Sequence, residues 1–304
     1  MGRGSYTAAD WANLRSSKQL HSQQTVASIF TKQQAHTGYL SSKVHCRYSC
    51  DPDAFQNATP VIIGFDTTAS MGYLAKELAT NSIHNVVTAL LSGQQISSPQ
   101  VLCAAIGDCK SDLYPLQVTQ FEADIRIVQQ LLDLHLEGGG GGNNGESYNL
   151  LWYFAAYHTQ HDHWKKREQK GYLFTIGDDR CHSGLSVAEI NKNFYTPAVY
   201  AVSNEELIEA AREKYHIFHI HIEQGSPLDD DIFHQWCQLL PGCSASIHKK
   251  DIACLSDLIT AIIGISSGLS HNEALRQLDP KKAERIARSV VTVHPPKSTN
   301  IIRF

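Results

Sequence analysis

Short apolar runs alternate with longer amphipathic stretches from Pro60 onward. The runs predict buried strands over 61–65, 101–106, 172–176, 216–222 and 245–248. Between them, apolar residues recur at helical spacing. In the first such stretch Leu74, Leu78, Val86, Val87, Leu90 and Leu91 form one stripe, with Lys76, Glu77, Asn81 and His84 off it. The second, over 119–135, places Phe121, Ile125, Val128, Leu131 and Leu132 in the same way; further helices fit 147–158, 204–215, 229–240 and 255–267. Because strand and helix keep alternating, the expected fold is α/β: a doubly wound, mostly parallel central sheet flanked by helices on both faces.

The flanks read differently. Residues 1–58 are polar and rich in Ser, Gln and Lys, with one apolar patch at Val26, Ile29 and Phe30; they read as an arm that packs on the domain over 59–268. The extension over 269–304 holds a charged helix candidate at 279–288. After it comes Val290-Val-Thr-Val293, either an added edge strand or an interaction tail.

Composition removes several classes of function. A net charge of -4 and 18% charged residues give no global basic field, so nucleic acid is disfavoured as a partner. No run reaches the ~20 apolar residues of a membrane helix. The opening MGRGSYTAADW lacks the apolar core of a signal peptide, and Tyr6 stands where a myristoylation signal needs Ser or Thr. A cytoplasmic protein with no membrane partner is expected. The eight cysteines lie at 46, 50, 103, 109, 181, 237, 243 and 254 without a paired C-x-x-C framework, and are read as reduced thiols.

In doubly wound sheets ligands gather where neighbouring strand ends diverge, and polar clusters fall at such ends. Asp66, Thr68 and Ser70 follow the first strand; Gly138–Gly142 with Asn143, Glu146 and Ser147 precede a helix; Asp178 and Asp179 follow Tyr172-Leu-Phe-Thr-Ile-Gly177. Carboxylate and hydroxyl oxygens are hard ligands of the kind Mg²⁺ prefers. The same residue types also lead at helix N-caps, so any one cluster is explained as well by capping; Ser147 in particular reads as a cap. Capping gives no reason for Asp178 or for the glycine run. The glycines do not form a nucleotide loop, since neither G-x-x-x-x-G-K-[ST] nor a strand leading into G-x-G-x-x-G is present.

The stretch Asp66-Thr-Thr68-Ala-Ser70-Met-Gly72 resembles the D-x-[ST]-x-S-M motif of von Willebrand factor A (vWA) domains. The resemblance runs from about Thr59 to Gly268 and implies a Rossmann-like vWA fold with a metal-ion-dependent adhesion site (MIDAS). It carries ligand roles to Asp66, Thr68 and Ser70, and to Asp178 as the third motif. The family's usual second motif, a Thr in a Gly-Gly-Thr-Asn loop, is replaced here; Gly142 occupies its position. The loop is more similar to the subgroup attached to alpha-kinases, whose GGGD-x-P-E loop aligns Asn143 with its Asp and Glu146 with its Glu. The implied ion is Mg²⁺ or Mn²⁺. The implied function is not catalysis but metal-dependent recognition of an acidic side chain on a protein partner, with an AAA+ ATPase or another complex subunit as the family's usual company.

Other constellations compete with this one. Asp108, Asp112 and Glu146 near a metal would suit phosphoester hydrolysis, and Lys165-Lys-Arg167 with Lys281-Lys282 would suit an RNA-associated scaffold. His158, His161 and His163 invite a zinc reading, but a solvated helix end accounts for them better. His45-Cys46 with Cys50, and Cys181-His182, are half-sites for zinc with no second half at regular spacing.

Overall fold

The computed structural model describes residues 6–21, 23–53, 57–68, 71–92, 96–139 and 145–294. Its central sheet has strands β1 (Thr59–Asp66), β2 (Pro99–Ile106), β3 (Leu116–Val118), β4 (Gly171–Gly177), β5 (Tyr215–Glu223) and β6 (Ser244–His248). They lie in the order β3-β2-β1-β4-β5-β6, all parallel except the edge strand β3. This is the doubly wound order in which the winding reverses between β1 and β4.

Both faces of the sheet are covered, so its strands are apolar on alternate residues in both directions. Val61, Ile63 and Phe65 of β1 join one apolar layer, and Ile62 joins the other. The first layer is closed by α1 (72–92), α2 (Arg126–Leu132) and α6 (Leu255–Ser266). The second is closed by α3 (Tyr148–Tyr157), α4 (Asn204–Arg212) and α5 (Asp229–Leu239). Gly64 lets α3 approach β1: a methyl there would land on the Leu151 side chain.

The structure departs from the sequence expectation at particular segments. α1 contains one π-type turn, Leu78–Ser82, which carries the buried stripe from Leu78 to Ile83; Leu91, expected on the stripe, is 46% exposed. The segment 119–125 is not helical. Val101 and Glu122 exchange both backbone hydrogen bonds, at 2.8 and 3.1 Å, and the Thr119 hydroxyl accepts the Cys103 amide at 2.9 Å. The outer edge of β2 takes this backbone, which leaves only Arg126–Leu132 for the helix. Val290–Val293 is neither a strand nor a free tail: it is a series of turns whose Val290 and Val293 are buried in the first layer, closed by the His294 amide on the Gly242 carbonyl at 2.9 Å.

The arm packs on the same layer. Tyr6, Trp11, Leu14, Leu20, Ile29 and Phe30 are buried in it, Trp11 stacks on His84 with ring centroids 4.7 Å apart, and the Tyr6 hydroxyl meets His84 Nδ1 at 3.0 Å. Further along, Arg47–Ser49 pairs in parallel with Thr159–His161. Among the described residues no helix is long and apolar enough to cross a membrane.

Trp11 is buried in this layer and stacked on His84, so Trp11→Ala is expected to cost about 2–4 kcal/mol of stability. Thermal or urea denaturation checks this; a loss below ~0.5 kcal/mol would mean that the arm adds only surface contacts.

Candidate metal and ligand site

Asp66 is the last residue of β1 and is fully buried. One carboxylate oxygen accepts the Thr68 amide at 2.7 Å, the other accepts the Tyr148 hydroxyl at 3.2 Å, and the Thr68 side chain also hydrogen bonds the group. Thr67 turns the other way, its hydroxyl donating to the Ile106 carbonyl of β2 at 2.9 Å. α1 begins at Gly72, flanked by Met71, with no side-chain cap. Asp66 and Thr68 therefore face each other rather than cap the helix. Ser70, the remaining ligand expected from this turn, lies outside the described residues.

Asp178 follows the end of β4, next to β1 in the sheet. Burial, then the Asp178 charge, raises the Asp66 carboxyl to about 7, against the opposing pull of the Thr68 and Tyr148 hydrogen bonds. Gly177 makes the approach possible: a methyl there would land on the Tyr148 hydroxyl and within 2.9 Å of Asp66 Cβ. Tyr148 itself is held protonated by burial, then by Asp66, Asp178 and Glu146.

Glu146 arrives from the Gly-rich segment. Its amide donates to the Arg180 carbonyl at 2.8 Å and its carbonyl accepts the His182 amide at 3.1 Å, which pins it beside the loop after β4. Its Oε2 is buried without a hydrogen-bond partner. Burial, then the charges of Asp66, Asp108, Asp112 and Asp179, push its carboxyl up to about 9. Asn143 lies outside the described residues, as do Gly140, Gly141 and Gly142. Ser147 does not cap α3: its hydroxyl accepts the Cys109 amide at 2.9 Å and donates to Asp108 at 3.4 Å.

Arg180 is drawn off to α5, pairing with Asp231 and donating to Gln235 at 3.0 Å. Asp179 accepts the Arg180 amide at 2.7 Å, and its carbonyl accepts the Trp236 indole at 3.0 Å, so it shapes the turn. Asp108 is wholly buried and accepts His182 Nε2 at 2.9 Å and the Lys110 amide at 3.0 Å. Through His182 it braces Glu146, whose carbonyl accepts the His182 amide. Asp112, half-held by the Asp108 amide at 2.8 Å, is raised mainly by burial.

Sequence reasoning missed Tyr148, Tyr73 and Gln224, and read His182 only as half of a zinc site. Gln224 donates to the Tyr73 hydroxyl at 2.8 Å, and Tyr73 is pushed up to about 12 by burial, then by Asp178, Asp66 and Asp229. The signal for Tyr148 was its place as the first residue of the helix after the glycines; nothing local marked the others.

The histidines 158, 161 and 163 are not a solvated helix end. All are buried, because the chain turns after α3 into the short strand with Arg47–Ser49 and then into a helix, Asp162–Arg167, capped by the His161 ring on the Trp164 amide at 3.0 Å. Burial first, then His163, lowers His161 to about 3. All eight cysteines are free.

Among the described residues no three His, Cys, Asp or Glu side chains converge closely enough to hold an ion by themselves. The donor set here is of another kind: the Asp66 carboxylate with the Asp178 charge beside it, a hydroxyl, and an orphaned buried carboxylate oxygen, all of them hard oxygens. That set fits a small divalent cation completed by water.

No family model matches the chain, and no curated protein sequence does. Among solved structures it is similar to proximal thread matrix protein 1 from the mussel byssus, with a zinc-occupied MIDAS motif, at 11% identity and a TM-score of 0.42 over 71% of this chain and 48% of that one. It is also similar to the pilus adhesin SpaC from Lactobacillus rhamnosus GG in its open conformation, at 12% identity and a TM-score of 0.44 over 76% of this chain and 30% of that one. The chain thus spans about half the length of the first and under a third of the second. The reading below rests on the site and the sheet order, not on these likenesses.

The raised carboxyls make a pH prediction. Glu146 keeps its proton in the fold up to about 9 while the unfolded chain releases it near 4.5. The fold therefore binds more protons across that window, and stability falls as pH rises through it. In EDTA, Glu146→Gln is expected to be more stable than wild type at pH 8 by on the order of 1 kcal/mol, with no gain at pH 4. Thermal melts at both pH values decide; an equal gain at pH 4 would assign the effect to packing.

Proposed function

We propose that this chain is a vWA-like interaction module whose site holds Mg²⁺ or Mn²⁺ and recognises an acidic side chain on a protein partner. The observation that carries it is the reach of the Asp178 charge to Asp66, and of the Asp66 charge to the Glu146 carboxyl, where β1 and β4 end side by side at the switch point of the sheet. Asp66, Thr68, Ser70 and Asp178 would hold the ion, with Glu146 or Asn143 of the Gly-rich segment acting on it directly or through water. When bound, the ion supplies an open position for a carboxylate in a partly desolvated site, where attraction is stronger than in water.

The chain's own residues prepare this. Burial holds Asp66 in one geometry, Tyr148 orients its second oxygen, and Thr68 fixes the turn. Gly177 allows the close approach that brings them together. Asp108 and His182 brace the loop that presents Glu146. None of these roles calls for turnover of a substrate, and recognition uses all of them. The motif's Gly-rich variant favours the subgroup attached to alpha-kinases, and an intracellular complex, with an AAA+ ATPase or another subunit as partner, is the setting we propose.

The test is a thermal shift in Mg²⁺ or Mn²⁺ followed by capture of partners from native lysate in metal and in EDTA. At an ion concentration ~100 times its Kd, wild type is expected to gain about 2.7 kcal/mol, and Asp66→Ala to gain nothing. Partners should be retained by wild type in metal alone. A thermal gain that survives Asp66→Ala, or capture indifferent to EDTA, would sink the reading; metal-dependent release of phosphate from a phosphoester would replace it with hydrolysis.

A further inference from the structure

A cleft of about 940 Å³ opens at the amino-terminal ends of β1, β2, β4 and β5, the pole of the sheet opposite Asp66. Its size is that of a small-molecule site. Leu90, Ile96 and Pro99 form an apolar wall, and Lys170, His163 and His216 line the cleft with them. Among the lining residues, two buried polar atoms have no hydrogen-bond partner: His163 Nδ1 and Ser266 Oγ, each in a residue 9% exposed. Unpaired polar groups of this kind are rare in folded proteins and costly unless a ligand or water meets them.

The charges around the cleft decide what such a ligand would be. Burial, then Lys170 and His163, lower His216 to about 4. Burial, then Arg167, lower His163 to about 4, and Asp51, the opposing charge, already pairs with Arg167 at 2.9 Å and with Lys166 at 3.0 Å. Burial, then Arg212, lower Lys170, against Glu213. Glu168, the one acidic residue in the lining, is exposed. The carboxyl end of α6 also points here, but the carbonyls of Ile263, Gly264 and Ile265 are already taken by the amides of Ser267, Gly268 and Leu269 at 2.9–3.1 Å. The His216 and His163 imidazoles are therefore neutral near pH 7, and Lys170 is the one cation among the described residues of the lining.

We infer that this cleft binds a small organic anion with an apolar body, its charged group seated by Lys170, His163 and His216 and its body against Leu90, Ile96 and Pro99. The site is separate from the carboxylate cluster and does not depend on a metal.

The test uses the full chain in EDTA, with 8-anilinonaphthalene-1-sulfonate as the anionic probe and N-phenyl-1-naphthylamine as its uncharged counterpart, both followed by fluorescence. The sulfonate is expected to bind at least ~10-fold tighter, a difference of about 1.4 kcal/mol. Lys170→Met should remove that preference and Lys170→Arg should keep it. Ser97→Trp, at the exposed rim, should block both probes while circular dichroism stays that of wild type. Equal affinity for the two probes, an unchanged preference in Lys170→Met, or undiminished binding in a folded Ser97→Trp would each overturn the assignment.

Discussion

The structure depends on keeping one carboxylate in the interior. Asp66 sits at 0% exposure at the end of a strand whose every residue is buried. An unpaired charge there would cost several kcal/mol. The fold meets that cost with three hydrogen-bonding groups from two elements: the Thr68 amide and side chain, and the Tyr148 phenol. It then worsens the electrostatics by adding the Asp178 charge. A protein built for stability alone would place Asn at such a position, or bring Arg180 to it. Here Arg180 is held on α5 instead.

The sheet explains why that happens at this place. Parallel strands end together, and the chain reverses its winding between β1 and β4, so the loops after them leave toward opposite faces. The gap between those loops admits side chains from a third segment, and the residues after the glycines fill it. Glu146 is fixed there by backbone bonds to the loop after β4, not by its own side chain. Its carboxylate is consequently positioned without being satisfied, the condition a ligand would relieve.

Five of the six central strands were legible as apolar runs, because strands buried on both faces leave little room for polar residues. β3 was not: at three residues it is too short for any period to show, and its neighbours mimicked a helical stripe. Asp66, Thr68 and Asp178 stand out in the sequence because a carboxylate and hydroxyls at strand ends are unusual in a core, and the structure brings Asp66 and Asp178 within electrostatic reach. The histidines at 158, 161 and 163 misled, since local polarity hid a pairing with Arg47–Ser49 more than a hundred residues away in sequence. Tyr148 reads as an ordinary helical aromatic until its hydroxyl is seen on Asp66. Long-range contacts of this kind have no local signature.

The aromatic layer behind the site sets how a change there would be felt. Tyr148 stands edge-on to His219 and to Trp236, with centroids 5.4 and 5.3 Å apart, while His219 and Trp236 lie face to face. Trp236 belongs to α5 and donates to the Asp179 carbonyl at 3.0 Å, so one stack ties β5, α3, α5 and the loop after β4 together. Close-packed rings do not deform by small degrees; they keep their places or shift as a group. Any rotation of the Asp66 carboxylate toward a new partner must release or drag the Tyr148 phenol, and the stack passes that displacement to α5. The same rigidity argues that the site is preorganised, because the side chains that would meet a ligand are already held by packing before it arrives.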